Sequence, residues 1–124
     1  MNFGELKELV LEWADDKDLL HSENAEKQFM KFIEEVFEFK TEFDNWVFLR
    51  KMCGFVSDEE LMYMKAKSFT VNSKLEMGDI FVTLIILCED LGIDPVVCLE
   101  MVYEKISKRR GRTINGTFVK SEDL

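Results

Sequence analysis

Apolar positions near the start of the chain recur three and four apart, at Leu6, Leu9, Val10 and Trp13. That is the spacing of one helical face, and it predicts a first helix over residues 3–20. "HSEN" (21–24) interrupts the pattern, and Ser22 or Asn24 is placed to cap a long second helix over residues 25–52. Phe29, Phe32, Ile33, Val36, Phe43 and Val47 line one face of that helix, and Gly54 ends it. Ser57 with Glu60 reads as a capping box opening a third helix over 58–67. After a short connection, Ser73 caps a fourth, which runs to Leu91 and stops at Gly92. Asp94 and Pro95 form an N-cap and first-turn pair for a fifth, reaching about Arg109. Beyond Gly111 the tail is too rich in Gly and Thr for helix, and Asn115-Gly116 sets a tight turn between two short extended pieces. The expected fold class is all-α, a single domain over residues 1–124 with four to five bundled helices and an irregular C-terminal tail over 111–124.

Charge narrows the possible partners. The net charge of −9 opposes general nucleic-acid binding, which needs basic surfaces. Six of the basic residues, from Lys105 to Lys120, fall in a segment without an acid. That segment is +6 and the remainder −15, a division suited to a small ligand that engages both a metal and cationic side chains. Cys53, Cys88 and Cys98 lack CxxC spacing and are odd in number, which reads as reduced core thiols of a cytoplasmic protein. The acidic start "MNFGELKELVLEW" does not have the basic opening and apolar run of a signal peptide. No apolar stretch approaches the roughly 20 residues needed to cross a bilayer, so no membrane association is expected.

The stretch "KLEMGDIFVTLIILCEDLG", residues 74–92, poses the chemical question. At about 100° per residue its apolar side chains occupy nearly every direction. The exception is a sector holding Glu76, Asp79, Thr83 and Asp90. A polar stripe on an otherwise apolar helix has to face something polar. The second helix offers more acid: in "KFIEEVFEFKTEF", Glu35, Glu38 and Glu42 lie beside the apolar arc, while Glu34 points further out. Carboxylates opposed in this way are tolerable with cations between them, and all-oxygen ligation selects hard ions, Mg²⁺ or Mn²⁺. Competing explanations are a solvated acidic face for Glu34 and Glu42, and helix-dipole compensation for Glu76, whereas Asp79 lies beyond the first turn where that effect acts. An EF-hand loop is absent, and the single histidine, His21, lies outside any Glu-x-x-His pair of a di-iron bundle.

Glu35-x-x-Glu38 followed by Glu76-x-x-Asp79 resembles the ExxE…ExxD signature of MazG-like nucleoside triphosphate pyrophosphohydrolases, which are all-α enzymes. "QFMKFIEEVFEF" is similar to the family's Q-x-x-K-x-x-E-E-x-x-E helix, "EMGDIFVTL" to its E-x-G-D helix, and "YEKISKRRGRTINGTFVK" to the basic end and N-G-x-F-V-K of small phage-type members. The likeness extends from about Trp13 to Leu124, with a longer connector between Glu38 and Glu76 than compact members have. It implies hydrolysis of nucleoside triphosphates, such as dNTPs or altered nucleotides, to a monophosphate and pyrophosphate. Glu35, Glu38, Glu76 and Asp79 would hold Mg²⁺ (or Mn²⁺), and Glu38, with Glu34 second in line, would orient or deprotonate the attacking water. A non-catalytic helical nucleotide-binding or adaptor module keeping the same fold is the alternative, and phosphoribosyl-ATP pyrophosphohydrolysis a narrower one.

Lys105 and Arg109, four apart beside Cys98 and Val102, are the expected grip on the triphosphate, with Lys31 as a further candidate. Lys108 and Arg110 read as a solvated helix end. Trp46 is a candidate to stack on a base, as is Trp13; each also suits core or an oligomer contact. Eleven phenylalanines in so short a chain point to more apolar surface than one bundle covers, hence a homodimer or homotetramer.

Overall fold

The computed structural model describes residues 1–52 and 59–124, with only the backbone and Tyr63 described between 59 and 70. Four α-helices and one β-hairpin are present among the described residues, in two compact units, Met1–Gly92 and Ile93–Leu124.

In the first unit, α1 (Phe3–Asp16) is capped by Asn2, whose side chain accepts from the Glu5 amide at 2.8 Å. It stops four residues before the expected end, where Asp18 adopts a left-handed φ of 60°. The Leu19 amide then turns back to the Ala14 carbonyl at 2.9 Å. A single 3₁₀ turn (Ser22–Asn24) leads into α2 (Ala25–Met52), which starts where expected.

The third and fourth expected helices are one continuous helix, α3 (Glu59–Asp90). Residues 68–73 contain Ser, Thr, Val and Asn but no Gly or Pro. Such residues cost a few tenths of a kcal/mol each in a helix, too little to break one flanked by good formers. Ser73 is therefore an interior residue and not a cap. The expected stop at Gly54, the Ser57 capping box with Glu60, and the reduced core thiol at Cys53 lie outside the described residues.

α3 runs back antiparallel along α2: Glu35 and Glu38 meet Glu76, and nearer the start of α2 Lys27 and Gln28 share a cavity with Thr83 and Ile86 nearer the end of α3. These two helices form the main packing of the unit. The most buried apolar side chains are Ala14 on α1 and Ile85, Ile86, Leu87 and Cys88 near the end of α3. The apolar arc expected to bury α2 is divided. Phe32, Ile33 and Val47 are half-buried, whereas Phe29, Val36 and Phe43 are exposed.

In the second unit, Asp94 caps α4 (Pro95–Ile106), its carboxylate accepting from the Val96 amide at 2.8 Å. The tail pairs β1 (Gly111–Ile114) with β2 (Thr117–Lys120), Gly111 opposite Lys120 and Ile114 opposite Thr117. Asn115 and Gly116 have φ of 51° and 79°, the pair of positive values that a two-residue hairpin turn needs. A 3₁₀ turn (Ser121–Asp123) follows. A Cβ on Gly111 would collide with the Val119 carbonyl oxygen and the Phe118 ring. Gly111→Ala is therefore expected to cost the hairpin about 1–3 kcal/mol. Amide exchange at 112–119 should accelerate strongly while that of α2 and α3 is unchanged.

Candidate metal centre

Helical spacing brings the acids together. Glu35 and Glu38 are one turn apart on α2, and the antiparallel return of α3 delivers Glu76 beside them. One carboxylate oxygen from each of the three lies within 4.8 Å of the others. Glu35 is buried at 7 % exposure, Glu76 is half-buried and Glu38 exposed, so the cluster opens from the helix interface toward solvent. Asp79 is not one of the three; it is exposed, and with Glu35 it lines the neighbouring cavity.

Among the described residues Lys31 supplies a partial counter-charge to the cluster. Lys31, one turn before Glu35, places its Nζ 3.1 Å from Glu35 Oε1 and 3.6 Å from Glu34 Oε2. Glu34 is thus held on the outer side of the helix by Lys31. The opposite oxygen of Glu35, Oε2, and Oε2 of Glu76 are buried without a hydrogen-bond partner. Buried carboxylate oxygens without donors are costly. The strain appears in the titration of Glu38. A hydrogen bond with Glu35 and then repulsion from it hold the Glu38 carboxyl above its ordinary range, helped by partial desolvation and Glu76 and opposed by Lys31. Lys31 is raised in turn, first by its hydrogen bond to Glu35. Three carboxylates and one ammonium leave an excess of negative charge at a single point, and the donor set is all oxygen. That set fits a hard divalent cation.

A cavity of 510 Å³ lies alongside, lined by residues of α1, α2 and α3 that include Trp13, Gln28, Lys31, Glu35, Asp79 and Thr83. Its size is that of a small-molecule site. The buried Thr83 hydroxyl is satisfied within α3, donating to the Ile80 and Asp79 carbonyls at 2.9 and 3.1 Å. A second hollow of 370 Å³ continues along α1 from Trp13 to Leu6.

Of the two tryptophans, Trp13 lines the cavity. Trp46 lies eleven positions beyond Glu35 on α2, stacked on Phe43 with ring centroids 6.0 Å apart and carrying the Arg50 guanidinium 4.8 Å above its ring. Lys105 is exposed in the last turn of α4 and Arg109 follows it, half-buried; both belong to the second unit. Sequence reasoning did not single out Lys27, a cavity residue whose four-residue spacing from Lys31 was the available signal. Comparison of the chain with family models, with characterised proteins and with solved structures returns no match.

Proposed function

We propose that this chain is a Mg²⁺-dependent pyrophosphohydrolase of nucleoside triphosphates. The observation that carries the reading is the meeting of Glu35, Glu38 and Glu76 within 4.8 Å, with an unpartnered oxygen on each of Glu35 and Glu76. The resemblance of the four acidic positions and their flanking residues to MazG-like enzymes supports the same conclusion. Asp79 would join the three as the fourth ligand.

When bound, Mg²⁺ would polarise the phosphoryl oxygens and lower the pKa of a coordinated water. Glu38, exposed at the solvent edge of the cluster, is the base placed to orient and deprotonate the water that attacks the α-phosphorus, with Glu34 second in line. The bond to the bridging oxygen breaks and pyrophosphate leaves with that oxygen. Lys31, which lines the cavity, orients the phosphate chain from that side. Trp13 supplies the aromatic face for the base, a role its place in the cavity favours over Trp46.

A panel of the four dNTPs with Mg²⁺ tests this through pyrophosphate release. Release from at least one nucleotide is expected, falling about 10²- to 10⁴-fold in Glu38→Gln. Saturable nucleotide binding without release would instead identify a non-catalytic binding module, and neither binding nor release would overturn the reading altogether.

A further inference from the structure

The cavity beside the acid cluster has a direction. Its acidic end is set by Glu35 on α2 and Asp79 on α3. Seven residues along each helix lie two further lining residues, Gln28 and Ile86, about 10 Å away at 1.5 Å per residue. Because the helices are antiparallel, both displacements point the same way, toward the start of α2 and the end of α3. Seven residues is also close to two full turns, so Gln28 and Glu35 share one face of α2. The separation matches a nucleoside monophosphate, measured from its phosphorus to the outer edge of its base. A nucleotide with its phosphates at the acids therefore brings its base to the end where Gln28 lies.

The lining residues differ in what they can read there. Trp13 offers a ring face, and stacking on an aromatic ring tolerates any base. The Thr83 hydroxyl directs its hydrogen within α3, to the Ile80 and Asp79 carbonyls. Lys27 is an exposed ammonium, which donates but cannot accept, and Lys31 is engaged with Glu35. Gln28 is half-buried, and its amide has no hydrogen-bond partner among the described residues. A side-chain amide carries an acceptor and a donor side by side, which complements a base edge where a donor lies beside an acceptor. We infer that Gln28 determines which base the site takes, by pairing its amide with the base edge. The inference rests on the nucleotide reading above and adds to it a specificity residue apart from the metal ligands and the phosphate donors.

Steady-state kinetics with the four dNTPs and Mg²⁺ test it, with inorganic tripolyphosphate, which has no base, as a competitor. The wild type is expected to prefer one base. Gln28→Leu should lower kcat/KM for the preferred nucleotide about 10- to 100-fold, the size of two neutral hydrogen bonds. The loss should fall on KM more than on kcat and bring the four nucleotides close together. Inhibition by tripolyphosphate should not change. Gln28→Glu keeps the shape but can only accept, so it should raise dGTP relative to the other three, because guanine presents two adjacent donors. Gln, Leu and Glu have similar helix propensities, so neither substitution threatens α2. Should nucleotides bind without being cleaved, dissociation constants from calorimetry give the same ratios, so the inference is decided separately from hydrolysis. A wild type without base preference, or ratios that Gln28→Leu leaves unchanged, would overturn it. So would a loss shared equally by all four nucleotides and tripolyphosphate, with the hydrolytic reading intact. A wild type that binds no nucleotide overturns both.

Discussion

Free Mg²⁺ at a hundred times its dissociation constant is expected to stabilise the chain by about 2.7 kcal/mol, a rise of roughly 8–16 °C in melting temperature for a domain of this size. The source is the electrostatics of the acid cluster. Without a cation, Glu35, Glu38 and Glu76 repel at close range, offset in part by Lys31. Because the Glu38 carboxyl is raised in the folded chain, its stabilising contribution is present below the unfolded glutamate pKa, about 4.3. It is lost as pH rises through the folded value. The metal-free chain therefore weakens from mildly acidic toward neutral pH. Mg²⁺ should cancel that loss by replacing the proton, and its effect should vanish in acid, where Glu38 is protonated. Glu35→Gln and Glu76→Gln should each remove most of the Mg²⁺-dependent rise without loss of helicity. Calorimetry at pH 4 and 7.5, with Mg²⁺ and with chelator, checks all of this. A melting temperature indifferent to Mg²⁺ in the wild type would remove the metal from the account.

The second large effect is expected at Asp90, the last residue of α3, which is only 6 % exposed. Neither carboxylate oxygen has a full hydrogen-bond partner, although the His21 amide is close enough to favour the ionised form in part. Burial pushes the Asp90 carboxyl up, against the pull of His21. The negative end of the helix dipole acts in the same direction as burial. The penalty for ionising Asp90 is absent below the unfolded aspartate pKa, about 3.9, and fully present above the raised folded value. Asp90→Asn should therefore be more stable than wild type at pH 7, by about 1–2 kcal/mol, with the difference closing near pH 4. Urea titrations at the two pH values measure it. An equal difference at both would show that packing, not charge, is what the substitution changes.

Local signals were readable from the sequence where they were strong. α2 starts where expected because "HSEN" marks a true interruption before it, and the N-cap Asp94 with Pro95 fixes the start of α4 because both act within one turn. Asn115-Gly116 gave the hairpin for the same reason. The division expected near Ser73 shows the limit. A residue that can cap a helix does so only where the helix ends, and no Gly or Pro ends it there. Spacing three apart places Glu35 and Glu38 on one side of α2, but their approach to Glu76 depends on how α3 returns. The place of Trp13 at the cavity depends on α1 packing against α3. The exposure of Phe29, Val36 and Phe43 was equally out of reach, because periodicity defines an apolar arc without naming what covers it.

The separation of the two indoles makes the chain its own reporter. Trp13 borders the cavity, whereas Trp46 lies between Phe43 and Arg50 further along α2. Single-tryptophan versions, Trp46→Phe and Trp13→Phe, would give two emission signals from one fold. One would follow ligand entry beside the carboxylates and the other the far end of the long helix, with no added dye or label.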